Sequence, residues 1–491
     1  MENLNVCSLL LSDTYKQCHD RMYPADLQQL VSYWTPRKAM SEDYTNMVFA
    51  GIQPFLIALN KEFEDNFFSK SINDVLIEYE RYMCVQLTPE AFDIDKIVKL
   101  HELGYLPLEI RALPEGTVVN MGVPCIEMTN TVDGFAWLVQ WLECLLQTEL
   151  WAPCGYATIG HEYRKIANYY YDKTVCGMSP AMAMADFGMR GMSCLEDGIR
   201  TSAAWLMSFD KTSTIPALAY LDKYYDADVA ANKIGIGAVS TEHSVMGANF
   251  ALDGDEITFV KRMLTELYPN TSFSMVSDTY DYWNMIDNIL PACKEEIMAH
   301  NGKLLVRPDS GDMVDIAIRT INKLWDTFGG TVNEKGYKVL DPHIGIIYGD
   351  GCAIAKVTEI YNILDSQGFA ANNIVFGVGA FCFHGFFEKS GKFIALTRDT
   401  WGIAMKATYG RTSDEIFPIY KDPKTDTTHL KKSHKGCCQV VEREDGFFDV
   451  FDGFMDPVIE EQTALKTMYR DGELLNFSTF AEIRERVNGG N

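Results

Sequence analysis

The stretch LLVRPDSGD, Leu304–Asp312, passes from apolar to ionic within four residues. Leu304, Leu305 and Val306 read as a buried strand, and Arg307, Pro308, Asp309, Ser310, Gly311 and Asp312 follow with turn chemistry. Alone, such a stretch is compatible with a solvated loop. It has company, however: IGIGAVSTEHS (234–244), FSMVSDTYD (273–281), IGIIYGDG (344–351) and IVFGVGAF (374–381) are also short apolar runs that end on small or charged residues. With Ser240, Asp278, Asp309, Gly349 and Gly377 taken as strand ends, the intervals are 38, 31, 40 and 28 residues. Each has room for a helix, such as YWNMIDNILPACKEEIMAH (Tyr282–His300). Strands alternating with helices at this spacing imply βα units and a parallel sheet. In such barrels the functional residues gather at the C-terminal ends of the strands.

The rest of the chain bounds the possibilities. Its 491 residues allow two domains, and a composition of 47% hydrophobic and 23% charged residues is that of a globular protein. Between Leu106 and Thr131 an alternating pattern breaks at Pro114-Glu115-Gly116 and resumes. That is strand–turn–strand chemistry and places an antiparallel sheet in the N-terminal third. The thirteen cysteines are odd in number and contain no CxxC pair, so free thiols in a reducing compartment are expected. The N-terminus lacks a basic region ahead of its short apolar run, which argues against a signal peptide. The most apolar segment, Ala136–Trp151, carries Gln140, Glu143, Gln147 and Glu149. With Leu138, Leu142, Leu145 and Leu146 on one face, it reads as a buried or dimer-facing helix. A cytoplasmic location is the expectation. A net charge of −25 disfavours nonspecific nucleic-acid binding. Between Lys389 and Lys435, however, ten Lys or Arg stand against five Asp or Glu, an excess that suits a small polyanion as well as a solvated segment.

Collected on one face, the strand ends supply Glu242, His243, Asp278, Arg307, Asp309 and Asp350 among several glycines. There is no GxSxG, HExxH, Walker A or GxGxxG signature. Carboxylates, arginines and glycine turns suit a phosphorylated sugar with a metal ion. Glycine turns admit phosphate to backbone N–H groups, arginine grips it bidentately, and paired aspartates hold ribose hydroxyls or hydrated Mg²⁺. Each residue also has a plainer reading. Asp278 and Asp309 suit helix caps, His243 a satisfied surface side chain, and Tyr15 and Phe187 the core.

Taken together, LLLSDTYKQCH (9–19), ADFGMRGMS (185–193), STEHS, SMVSDTYD, LLVRPDSGD, YGDG, LTRD (396–399) and YKDP (420–423) resemble the nicotinamide phosphoribosyltransferase family, type II phosphoribosyltransferases. PEGT (114–117) is shared with nicotinate phosphoribosyltransferases. The likeness spans nearly the whole chain. It implies an α/β fold: an irregular (β/α) barrel over 154–385, and a composite α+β domain with an antiparallel sheet from 1–153 and 386–491. It also implies a homodimer with shared sites, transferring phosphoribosyl from phosphoribosyl pyrophosphate to nicotinamide with release of pyrophosphate. Phe187, and Tyr15 from the other subunit, would sandwich the pyridine ring. Arg190 and Arg307 would line the base and phosphate pockets, and Asp309, Gly349 and Asp350 would hold the ribose. Arg37, Arg398, Lys406, Lys421 and Lys431 would meet the phosphates. Asp13 and Ser274, within the matching motifs, and Gly379 of the GVGAF turn complete the substrate-binding set. His243 would be phosphorylated by ATP, with Glu242 and Asp278 beside it. Mg²⁺ and ATP are the implied cofactor and coupling substrate, and no metal-ligating set is assigned.

Three features depart from the family pattern. In SFDKTSTIPAL (208–218), Ser213 stands where the family has an aspartate that accepts from the substrate amide, so nicotinate is the alternative base. GVGAF (377–381) replaces a more glycine-rich turn, and HGFFEKSGKF (384–393) lengthens the connection to LTRD. A non-catalytic homologue with a binding role is a further alternative, although His243, Asp309, Arg307 and Arg398 are all retained. A sugar-phosphate isomerase or aldolase would want a lysine at a strand end, and none of the five ends offers one.

Overall fold

The computed structural model describes residues 4–349, 351–426 and 432–489. The chain divides into two compact units, one of residues 1–158, 221–227 and 396–491, the other of 159–220 and 228–395.

The second unit is built on seven parallel strands: β1 (Met184–Asp186), β2 (Lys211–Thr212), β3 (Val239–Ser240), β4 (Phe273–Val276), β5 (Leu304–Arg307), β6 (Ile344–Tyr348) and β7 (Ile374–Val378). Their order in the sheet is β2-β1-β7-β6-β5-β4-β3, and every pairing is parallel. The sheet curls until its edges meet, where Lys211 of β2 forms a parallel bridge with Ile236, three residues ahead of β3. Four of the strands, β4 to β7, are the apolar runs read from the sequence; their side chains are largely buried, as covered parallel sheets require. β1 and β2 give too short a signal to be read from sequence. IGIGAVSTEHS yields a strand of only two residues, because Gly235 and Gly237 provide no side chains to pack.

Helices α1 (Leu195–Trp205), α2 (His243–Asp253), α3 (Met313–Phe328) and α4 (Ile354–Ser366) lie between successive strands. On α3, Ala317, Thr320, Ile321, Leu324 and Phe328 form the buried stripe, at helical spacing. The expected single helix over Tyr282–His300 is instead four short pieces, with a break at Cys293 two residues beyond Pro291, whose ring removes a backbone donor.

The first unit carries the expected antiparallel sheet. Its seven strands run in the order Ile416–Pro418, Ile403–Arg411, Gln29–Pro36, Ile126–Asn130, Leu108–Ala112, Lys466–Arg470 and Glu473–Leu474, so N- and C-terminal segments interleave. Leu138, Leu142 and Leu146 are buried within the chain itself and Leu145 is half-buried. The apolar run breaks at Leu142, between helices Ala136–Trp141 and Glu143–Thr174. All thirteen cysteines are free thiols, and no helix among the described residues is long and apolar enough to cross a membrane.

Candidate active site

A cavity of about 1190 Å³ lies in the barrel unit, reached by residues that follow or belong to all seven strands. Phe187 and Arg190 come from the loop after β1, Ser213 follows β2, Glu242 follows β3, and Ser274 lies in β4. Arg307 and Asp309 end β5, Gly349 follows β6, and Gly379 follows β7. Nine of the residues singled out from the sequence thus line one space.

The acidic edge of this cavity is organised by Asp278. Its Oδ2 accepts from the Asp309 backbone N–H at 2.9 Å and from Ser310 Oγ at 2.6 Å, while its buried Oδ1 has no hydrogen-bond partner. The helix-cap reading of these aspartates does not hold. Asp281 caps the Tyr282 segment and Asp312 caps α3, each accepting from a backbone N–H three residues on. Asp309 lines the cavity, whereas Asp278 and His243 do not, and Asp278 holds the Asp309–Ser310 turn from behind. His243 opens α2, 51% exposed, with Nε2 at 3.9 Å from Asp278 Oδ1 and 3.8 Å from Asp309 Oδ2. Its Nδ1 lies 3.1 Å from Thr279 Oγ1. Glu242 accepts from Ser244 Oγ. Arg307 donates from Nη2 to the Thr241 carbonyl at 2.9 Å, and its buried Nε is unpartnered. Burial lowers the Arg307 pKa, opposed by Asp309 and Asp278 and reinforced by Arg190. Such a guanidinium retains donors for an incoming anion.

The opposite wall rests on Asp186, which the sequence reading passed over as one letter of ADFGMRG. Its fully buried carboxylate accepts from Ser202 Oγ at 2.6 Å, Thr212 Oγ1 at 2.7 Å, the Gly188 N–H at 2.8 Å and Thr214 Oγ1 at 3.4 Å. Burial raises its pKa against those donors. Its backbone carbonyl receives both the Ser213 N–H, at 3.0 Å, and the Ser213 Oγ–H, at 3.2 Å. The Phe187 N–H donates to the Val378 carbonyl at 2.8 Å, and its ring packs against Gly377, where a Cβ would come within 2.2 Å of Cε2. The reshaped GVGAF turn has a matching partner: a Cβ on Gly191 would meet Ala380 Cβ at 2.4 Å, so the alanine methyl fills what the other glycine leaves open. The lengthened connection forms a hairpin, Gly385–Phe387 with Phe393–Ala395, before Thr397 caps the next turn. Asp350 lies outside the described residues.

In the first unit, Arg37 and Lys406 line a pocket of about 300 Å³ with Tyr33, Lys432, His434 and Asp452. Arg37 Nε donates to the Gly402 carbonyl at 2.9 Å. Arg398 pairs with Asp399 at 2.9 Å, and the backbone N–H of Lys421 donates to Ser433 Oγ, which also lines the pocket. Lys431 lies outside the described residues, whereas its neighbour Lys432 is placed in the lining. Tyr15 is 51% exposed, edge-on to His19, and Asp13 Oδ2 accepts from Cys144 Sγ at 3.3 Å. Lys432 was legible only as part of the general basic excess of 389–435, and His434 gave no signal of its own.

Comparison with known proteins identifies the family. The profile of the nicotinate phosphoribosyltransferase (NAPRTase) family matches residues 182–453. A nicotinamide phosphoribosyltransferase of Acinetobacter baylyi is 35% identical, with 97% of this chain and 96% of that protein aligned. One from Xanthomonas campestris is 30% identical over 98% of each. The crystal structure of human nicotinic acid phosphoribosyltransferase superimposes with a TM-score of 0.60 at 16% identity, covering 98% of this chain and 93% of that one, and so shares the fold. The chain therefore belongs to the nicotinate phosphoribosyltransferase family and is a phosphoribosyl-transferring enzyme.

Proposed function

We propose that the enzyme transfers the 5-phosphoribosyl group of phosphoribosyl pyrophosphate to nicotinamide, giving nicotinamide mononucleotide and pyrophosphate for NAD salvage. The observation that carries the choice of base is the hydrogen bond from Ser213 Oγ–H to the Asp186 carbonyl. A hydroxyl has one proton to give. With that proton committed to the backbone, Ser213 offers the cavity only lone pairs, which suit the N–H of a carboxamide and repel the carboxylate of nicotinate. The names of the relatives support the same reading.

In the reaction the pyridine nitrogen forms a bond to ribose C1 with its own lone pair as the bond from C1 to the pyrophosphate oxygen breaks, so no general base is needed. The barrier lies in positive charge at C1 and negative charge on the leaving group. Phe187 orients the ring by stacking, Asp309 and Asp278 present negative charge to the sugar side, and Arg307 meets phosphate. Arg37, Lys406 and Lys432 supply cations for the pyrophosphate. Asp309 and the unpartnered Oδ1 of Asp278 would hold Mg²⁺, which when bound neutralises charge on the leaving pyrophosphate.

Two finer elements belong to the proposal. Tyr15, 51% exposed, supports a homodimer in which one subunit's Tyr15 completes its partner's cavity. The exposed His243 imidazole, flanked by two carboxylates, suits a nucleophile that takes the γ-phosphoryl of ATP as the bond to ADP breaks. A product assay with phosphoribosyl pyrophosphate, Mg²⁺ and either base, with and without ATP, tests the whole. Mononucleotide formed preferentially from nicotinamide is expected; preference for nicotinate overturns the Ser213 argument, and no product from either base overturns the enzymatic reading.

A further inference from the structure

Glu143 belongs to none of the groups assigned so far, yet it joins three of them. It is the first residue of the long helix Glu143–Thr174 and is mostly buried. Its Oε2 is 2.5 Å from Lys16 Nζ, and Lys16 is itself almost wholly buried in the segment that carries Asp13 and Tyr15. Its Oε1 is 3.4 Å from Lys406 Nζ and accepts from Gln147 Nε2 at 2.9 Å. Gln147 Oε1 in turn lies 3.5 Å from Arg398 Nη1. The next residue, Cys144, donates to Asp13. One helix start thus holds the Tyr15 segment and reaches Lys406 and Arg398.

We propose that Glu143 is a positioning residue for the transfer reaction: as the counter-ion of Lys406 it holds that side chain at the pocket for polyphosphate, and it ties the Tyr15 segment to the same point. The proposal rests on the reading of the Arg37–Lys406 pocket as a polyphosphate site.

The surroundings of Lys406 give Glu143 its importance. The lysine sits on the strand Ile403–Arg411, opposite Tyr33 in the sheet. Burial lowers its pKa most, and Arg37 and Lys16 lower it further, whereas Glu143 is what raises it. Lys432, His434 and Asp452 share its pocket, and the lysine also donates to the Met405 carbonyl at 2.7 Å. Among the described residues, Glu143 is the carboxylate within ion-pair distance of Lys406. Without it, Lys406 is a half-buried amine facing other cations, and it gives up its proton at lower pH. An incoming polyphosphate takes over the role of counter-ion, so the lysine passes from one anion to another without a neutral stage.

The test is the affinity for inorganic pyrophosphate alone, measured calorimetrically on the full chain between pH 7 and 9.5, for wild type, Glu143→Gln, Lys406→Arg, Lys406→Met and Glu143→Gln/Lys406→Arg. The ratio of Kd for Glu143→Gln to wild type is expected to lie within about threefold at pH 7 and to rise to roughly tenfold or more at pH 9.5, the loss of one charge-assisted contact. Glu143→Gln/Lys406→Arg, compared with Lys406→Arg, should show no such rise, because a guanidinium stays protonated throughout. A ratio that is constant with pH, or a rise that persists with arginine at 406, overturns the proposal. Glu143→Gln leaves Lys16 buried without its partner, so Lys16→Met/Glu143→Gln is made alongside to carry the same test if the single variant does not fold. If wild type and Lys406→Met bind pyrophosphate equally, the pocket reading itself fails, an outcome distinct from the others.

Discussion

Gly377→Ala isolates what Phe187 needs from the barrel. The backbone at Gly377 is not left-handed, so alanine is conformationally acceptable there and the whole effect is steric. Its Cβ would lie 2.2 Å from Phe187 Cε2 and 2.3 Å from Cδ2, where ordinary contact begins at 3.4 Å. The ring must retreat by about 1.2 Å, the difference of those values, in a region where overpacking costs about 1–3 kcal/mol. The Phe187 backbone cannot follow easily, because its N–H is held by the Val378 carbonyl at 2.8 Å. A displacement of that size in a stacking platform is expected to lower kcat/KM for nicotinamide by roughly 10²-fold. The assay is steady-state mononucleotide formation for wild type, Gly377→Ala, Phe187→Ala and the double variant. On the Phe187→Ala background the two severe contacts are gone and the methyl meets the Gly349 Cα at 3.3 Å, a slight overlap, so adding Gly377→Ala should cost little more. Wild-type kcat/KM in Gly377→Ala, or an equal penalty with and without the ring, would refute the reasoning.

Other residues give sharper chemical tests. Ser213→Ala should lower kcat/KM for nicotinamide by roughly 3- to 10-fold, the worth of one neutral hydrogen bond, and leave the slower nicotinate reaction unchanged or improved; a ratio of bases that does not move would remove Ser213 from recognition. His243→Ala should abolish ATP hydrolysis yet retain slow ATP-independent transfer, and surviving ATPase activity would end the phosphohistidine assignment. Arg307→Lys keeps the charge and loses the fork that holds the Thr241 carbonyl, so a kcat reduced by roughly 10²-fold is expected; near-normal turnover would show that charge alone suffices. Mixing Tyr15→Ala with Phe187→Ala subunits should restore part of the activity in heterodimers, and inactive heterodimers of confirmed composition would count against shared sites.

What the sequence made legible follows the length of the signal. β4 to β7 are four or five residues long and largely buried, and their polar ends carried Asp278, Arg307, Asp309 and Gly349 into view. β2 is two residues long, too short for any periodicity, so Ser213 just after it was reached only through the family motifs, whereas the equally short β3 was legible from the apolar run that surrounds it. Asp186 was missed because its importance lies in four donors that converge from separate positions between 188 and 214, a pattern without sequence period. Glu143 was read as a polar interruption of an apolar helix. Its two lysines are 127 residues before it and 263 after it, and only the fold brings them together. The helix-cap alternative for Asp278 and Asp309 was reasonable in kind but misplaced by three residues, since Asp281 and Asp312 fill that role.

The barrel is a ring of unequal staves. Four long strands pair through three or four residues each, whereas the join between β2 and β3 is a single bridge, Lys211 to Ile236. A ring so made is weakest at that seam, since local opening starts where the fewest hydrogen bonds must break. Ser213 and Glu242 flank the seam, while Arg307, Asp309 and Gly349 sit on the strongest staves. Breathing of the molecule is therefore lopsided. The side carrying Ser213 and Glu242 can spread and reclose at little cost, and the side carrying Arg307, Asp309 and Gly349 keeps its shape throughout.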